Sequence, residues 1–274
     1  MARAQVPVGS EFRANTVTAG NQYLSSAAVD KDGDFVVVWT SGGVTAGDVK
    51  GQRYDPNGVP RGSEFQVNTF TTEGQYTVYS GTAVAARPDG RFVVVWTDTT
   101  QDGDGLGVFG QLFDGGANKL GAEFRVNGAT AEDQYQAQVA IAPHGTFVVV
   151  WSTDSDPTAG VNFDVRAQMF DATGNRLGAE LQVNTYTAGD QAGPVVALDP
   201  AGNFVVAWNS DGQDGDDFGV FAQRFSAAGA PLGGEFQVAS STAGGQYTYG
   251  VTRAGDGRFV VAWTAPDGDS LGVF

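Results

Sequence analysis

The sequence predicts an all-β protein, a five-bladed β-propeller of four-stranded antiparallel blades whose ring is closed by the N-terminal strand completing the C-terminal blade. Three observations carry this expectation. Trp39, Trp96, Trp151, Trp208 and Trp263 recur at intervals of 57, 55, 57 and 55 residues, and a fixed period of that size marks a repeat architecture. Each Trp ends an unbroken apolar run, FVVVW or FVVAW, whose lack of polar alternation requires burial on both faces. Finally, the sequence opens on GSEFRANT, a counterpart of a fourth strand, and stops at SLGVF, inside a third strand. Together the two would make one blade and leave no exposed sheet edge.

Each unit reads as four strands. YSGTAVAA stands for the first, whose small residues suit the crowded position beside a central axis. RFVVVWT is the second, GVFGQLFD the third and EFQVNT the fourth, all rich in β-branched and aromatic residues. RPDGR at 87–91 and AGDGR at 254–258 carry hairpin turn chemistry, so the first two strands are antiparallel neighbours. VDKDGDF at 29–35 occupies the same place and reads as a hairpin too. The chain is expected to be a single domain over 1–274, with units at 17–68, 69–127, 128–184, 185–239 and 240–274 plus 1–16.

Composition narrows the function classes. There is no cysteine, which excludes a disulfide scaffold and Cys-based metal or redox sites. The net charge of −16 repels phosphate backbones and anionic lipid, so nucleic acid is not an expected partner. No apolar run approaches the roughly 18 residues of a membrane helix, so membrane insertion is not expected. MARAQVPVGSEF has neither the basic nor the apolar segment of a secretion signal. His144, the one histidine, falls in the hairpin turn APHGT, away from the variable loops and unsuited to a Ser-His-acid arrangement. No glycine-rich nucleotide motif lies between a strand and a helix.

The two ends of such a ring differ. First-to-second and third-to-fourth turns are short and repetitive; the opposite end carries long, variable, acidic links, the usual location of functional residues. Asp102 and Asp104, Asp154 and Asp156, Asp214 with Asp216 and Asp217, and Asp267 with Asp269 lie among glycines there, a spacing that makes them candidate ligands for Ca2+. None completes the twelve-residue calcium loop, and solvated turns explain the same residues. Tyr23, Tyr76, Tyr135 and Tyr247, in the loop-proximal GQY-type steps, are candidates for stacking on a sugar ring. The tryptophans are assigned to packing between blades. Glu64, Glu123, Glu180 and Glu235, with Gln52, Gln111, Gln168 and Gln223, recur in every unit and are assigned to the scaffold.

At the level of EFQVNTFTTEGQY (64–76) and DGQDGDDFGVFAQRF (211–225), the chain resembles tandem repeats of large exported bacterial proteins, adhesin-like or of calcium-binding type. The resemblance covers nearly the whole sequence and implies a secreted or cell-surface setting, with no activity attached. The resulting expectation is a monomeric, non-catalytic, lectin-like module that recognises glycans at the loop-rich end. A spacer module without a small ligand is the alternative. A glycoside hydrolase stands third, because it would need two dissimilar, converging carboxylates with one desolvated, and the repeated acids show no such asymmetry.

Overall fold

The computed structural model describes residues 9–43, 46–71, 75–76, 83–131, 133–154, 162–268 and 270–274. Blade 1 contains β1 (Gln22–Val29), β2 (Phe35–Gly43), β3 (Ala46–Tyr54) and β4 (Phe65–Gln66). Blade 2 contains β5 (Gln75–Tyr76), β6 (Ala83–Ala86), β7 (Phe92–Asp98), β8 (Gly107–Phe113) and β9 (Lys119–Arg125). Blade 3 runs through β10 (Gln134–Ile141), β11 (Phe147–Asp154), β12 (Phe163–Phe170) and β13 (Arg176–Gln182). Blade 4 has β14 (Gln191–Leu198), β15 (Phe204–Asp211), β16 (Phe218–Phe225) and β17 (Phe236–Gln237). Blade 5 has β18 (Tyr247–Arg253), β19 (Phe259–Pro266) and β20 (Leu271–Val273).

Strands pair antiparallel in chain order within each blade, and in blade 2 β5 and β6 share the inner position beside β7. The innermost strands β1, β6, β10, β14 and β18 contact one another in sequence. The protein is therefore an all-β, five-bladed propeller of mainly four-stranded antiparallel blades.

Alternation along the second strand explains why the blades stack. Val93 and Val95 of blade 2 pack with Phe147, Val149 and Trp151 of blade 3. The intervening Val148 and Val150 point the other way, onto Phe204, Val206 and Trp208 of blade 4. Blades 1 and 2, and blades 4 and 5, are joined in the same manner. Each such side chain contributes about 1.5–3 kcal/mol on burial, so the apolar run holds two neighbours at once. Trp96, Trp151 and Trp208 are fully buried in these seams, as expected of packing residues.

Two repeated contacts fix the rim. Aromatic pairs facing across the second and third strands stack, Phe92 on Phe113 at 4.8 Å and Phe147 on Phe170 at 4.8 Å. A ring from the preceding blade caps each pair: Phe65 lies 5.4 Å from Phe113, and Phe124 lies 5.4 Å from Phe170. The recurrent glutamates then tie blades together by accepting a backbone N–H from the segment after the previous fourth strand. Thr69 donates to Glu123 at 2.7 Å, Gly128 to Glu180 at 2.8 Å and Thr185 to Glu235 at 2.6 Å. The buried glutamines donate to carbonyls of their own edge, as when Gln111 Nε2 bonds Leu112 O at 3.0 Å.

Short turns crowd one end, as expected. Their aspartates accept two backbone N–H groups each; Asp171, for example, takes Thr173 and Asn175 at 2.8 and 3.0 Å. The VDKDGDF segment is one of these hairpins, closed by Asp30 N–H to Asp34 O. His144 is exposed in another.

The last blade differs from expectation. Its sheet has three strands, and residues 9–16 form no described strand beside it. They lie instead against blade 1, with Phe12 5.2 Å from Tyr54. The third strand of this blade spans Leu271–Val273.

If burial between blades dominates, Phe147→Ala should lower the unfolding free energy by about 3–5 kcal/mol in denaturant titration. Leu120→Ala, at a position 40% exposed, should stay within about 0.5 kcal/mol of the parent.

Candidate functional site

At the loop-rich end, the first strand of most blades bends just after its recurrent glutamine. The pairing register slips between Tyr23 and Ser26, Tyr135 and Gln138, Ala192 and Val195, and Thr248 and Gly250. In blades 1, 3 and 4 the residue at the bend is left-handed: Leu24 at φ 56°, Gln136 at φ 58° and Gly193 at φ 64°. For a non-glycine residue this conformation costs about 1–3 kcal/mol and persists only where surrounding contacts enforce it. At Gln136 those contacts are visible, since its Oε1 accepts from Ser152 Oγ at 2.8 Å and from Gly193 N–H at 2.7 Å. Glycine is required at 193 because a Cβ there would meet Asn209 Nδ2 at 2.7 Å.

The bends of blades 3, 4 and 5 surround a cavity of about 340 Å³. Gln136, Gln138, Asn209, Thr248, Tyr247 and Tyr249 supply its polar groups, with Gly193, Pro194 and Val195 between them. Its lining has amides, hydroxyls and phenols but no charged side chain. Asn209 is held by accepting the Thr248 N–H at 2.7 Å.

Two carboxylates of blade 4 lie outside this lining, close to it in sequence. Asp211 lies two residues beyond Asn209 on β15, on the same face and about 7 Å further along. Asp190 precedes β14, three residues before Gly193, and its main chain accepts the Asp211 N–H at 2.8 Å. Burial pushes the half-buried Asp190 carboxyl above the ordinary carboxylate value, and the neighbouring charges of Asp211 and Asp154 push it further. One hydrogen bond opposes them, from Phe163 N–H to Asp190 Oδ1 at 3.3 Å. The phenol of Tyr247 is raised by burial, then by Asp217 and Asp211. Blades 3 and 4 thus bring together a desolvated carboxyl with two carboxylate neighbours.

The sequence-derived candidates separate accordingly. Tyr247 lines the cavity and packs 5.5 Å from Phe218, whereas Tyr135 meets Phe163 edge-on at 4.9 Å and Tyr23 borders a different hollow beside Trp39. The Tyr76 side chain, Asp156 and Asp269 lie outside the described residues. Sequence reasoning missed Tyr249, Gln136, Asn209 and Asp190. Only the Gln-x-Gly of blade 4 hinted at the bend, because Leu24 and Gln136 disguise it elsewhere.

Several of the loop acids make close contacts with the protein itself. Asp214 Oδ2 and Asp267 Oδ2 lie so close to a backbone that a Cβ on Gly219 or Gly272 would stand 2.6 Å away, and Asp102 meets Gly107 in the same way. Asp216 Oδ2 accepts Gly244 N–H at 2.9 Å, and Asp217 Oδ1 accepts Phe218 N–H at 2.9 Å. Asp104 is exposed. Among the described residues no three carboxylates or histidines converge as a metal site.

No family model matches the chain, and neither does any curated protein. Solved structures do. An endo-arabinase from Bacteroides thetaiotaomicron is 11% identical with a TM-score of 0.53, over 97% of this chain and 96% of the other. The Penicillium chrysogenum α-L-arabinanase, complexed with arabinobiose, is 14% identical at a TM-score of 0.56, over 92% and 77% of the two chains. The NanB sialidase of Streptococcus pneumoniae is 7% identical at 0.59, over 95% of this chain and 60% of the other. At such identities the likeness establishes the fold.

These findings correct three expectations. Nothing supports the adhesin-like or calcium-binding repeat family, since the similar structures are glycoside-cleaving propellers. A non-catalytic lectin-like module and its non-enzyme assignment are not retained either. This architecture carries sugar-cleaving enzymes, and the desolvated carboxylate whose absence argued against catalysis is present as Asp190.

Two measurements check this geometry. A carboxyl raised in the folded state costs stability above its folded pKa, and the cost disappears below the unfolded value of 3.8. Asp190→Asn should therefore melt above the parent at neutral pH, by no more than about 1 kcal/mol because solvent screens part of the repulsion. The two should converge as pH falls toward 3. Addition of a strong chelator should leave the melting temperature within about 1 °C, whereas a calcium site filled in the native state would shift it several degrees.

Proposed function

We propose that this protein hydrolyses glycosidic bonds in a neutral polysaccharide at the loop-rich end of the propeller. The observation that carries the reading is Asp190, a carboxyl raised by burial and flanked by the Asp211 and Asp154 charges, three residues before Gly193, which lines an uncharged cavity. Glycoside hydrolysis needs two carboxyl groups in different states, one keeping a proton for the leaving oxygen and one ionised. Asp190 fits the first role. Asp211 fits the second, steadying the positive charge that develops on the sugar or directing attack at it.

Substrate class follows from what the cavity lacks. Amide and phenol groups hydrogen-bond sugar hydroxyls, and no Arg or Lys lines the site to pair with a carboxylated sugar. A protein of net charge −16 also repels an anionic polymer. Arabinan is the first substrate to try, because an endo-arabinase and an α-L-arabinanase share the fold over 97% and 92% of this chain. A secreted or cell-surface setting belongs to the same proposal, because polymers of that size are met outside the cell.

Reducing-end release from linear arabinan, galactan and xylan, with polygalacturonate as the charged control, tests the reading. Activity on a neutral polymer is expected, with at least about 100-fold loss in Asp190→Asn as for removal of a general acid. Absence of turnover on every neutral polymer, or an Asp190→Asn variant as fast as the parent, would refute it.

A further inference from the structure

We propose that residues Phe12–Asn15 are a preformed fourth strand for blade 5, and that their pairing with β20 closes the ring by apposing blade 5 to blade 1. This inference stands apart from the hydrolase reading. Four seams between consecutive blades are built alike, and the fifth is present as two unmatched halves. Val36, Val93, Val148 and Val205 occupy one position of the second strand and are at most 4% exposed, while their counterpart Val260 is 66% exposed. Val49, Val108, Val165 and Val220 of the third strands are wholly buried, while Val273 is 81% exposed. An apolar face that four siblings cover thus lies open on blade 5.

The occupant is identified by what it already does on blade 1. Phe12 caps the Phe35–Tyr54 stack as Phe65 and Phe124 cap theirs. Thr16 donates its N–H to Glu64, in the pattern of Thr69 with Glu123. Asn15 Nδ2 bonds Val17 O at 2.7 Å, and Asn68, Asn127 and Asn184 make the same bond to the carbonyl two residues on. In those three siblings the Asn Oδ1 also accepts the third-strand valine N–H, at 2.8 to 2.9 Å. By the same register Asn15 Oδ1 should accept Val273 N–H, and Ala14 N–H should reach Val273 O. The latter repeats Val67 to Val49, Val126 to Val108, Val183 to Val165 and Val238 to Val220.

Register also places a crosslink. Lys50 faces Gln66, Phe109 faces Arg125, Arg166 faces Gln182 and Phe221 faces Gln237, and the corresponding pair is Phe274 with Arg13. Opposed residues of this kind have Cα atoms about 4.5–5.5 Å apart, within disulfide reach. The chain has no native cysteine, so Arg13→Cys with Phe274→Cys introduces its only thiols. Oxidation of the full chain at low concentration should give a crosslinked monomer that melts higher than its reduced form. Disulfide-linked dimers or longer species in place of that monomer would show a second copy on the open face and overturn the proposal, as would failure to crosslink. Val260→Asp supplies an independent reading: burial in the fifth seam predicts a melting temperature lower by about 5 °C or more. A variant that melts with the parent would also overturn it.

Discussion

The whole molecule depends on the second strand of each unit being apolar on both faces. A sheet with such a strand at its centre cannot turn one side to water, and among the described residues no helix covers it. The remaining solution is another copy of the same sheet on each side. A stack of twisted sheets that obeys this rule turns about an axis, and small residues in the first strand allow the approach there. The functional end, the acidic links and the central cavity all follow from this one packing demand.

Within that frame, conserved polar groups divide by whether repetition serves them. Glu123, Glu180 and Glu235 do identical work in their seams, and Gln52, Gln111 and Gln168 do identical work at their edges. Asp190 repeats the backbone contacts of Asp133, whose carboxylate takes the Leu106 N–H and whose main chain takes the Asp154 N–H, and it is set apart by the Asp211 and Asp154 charges beside it. Its own main chain touches β15, its carboxylate takes an N–H from the start of β12, and its neighbours in charge come from blades 3 and 4. Catalytic chemistry needs such inequality between like groups, and a regular ring supplies it only where its loops diverge.

This division sets what could be read in the sequence. The tryptophan period, the FVVVW runs and the Asp-Gly hairpins are local, so the fold was legible, as was the burial of Trp96, Trp151 and Trp208. The bracing role of Asp102, Asp214 and Asp267 was also legible in principle, since each stands five residues before the glycine it touches. Their spacing suits metal ligation and a solvated turn equally, because a backbone packed against a carboxylate leaves no separate mark in sequence. Asp190 was not legible at all. Its ionisation depends on Asp154 and Asp211, which lie 36 residues before it and 21 after it, through a seam known only in three dimensions.

The ends of the ring also answer acid in opposite order. Asp171, by the Thr173 hydroxyl and then the Asn175 amide, and Asp114 and Asp199, by amide donors, are held below the ordinary carboxylate range, and Arg253 adds to the effect at Asp199. Groups depressed in this way keep stabilising the fold until pH drops through their folded values. Asp190, held above that range, takes up its proton first. Acidification therefore neutralises Asp190 at the variable face while the opposite face still clasps its hairpins, so the two ends of the ring lose negative charge in turn.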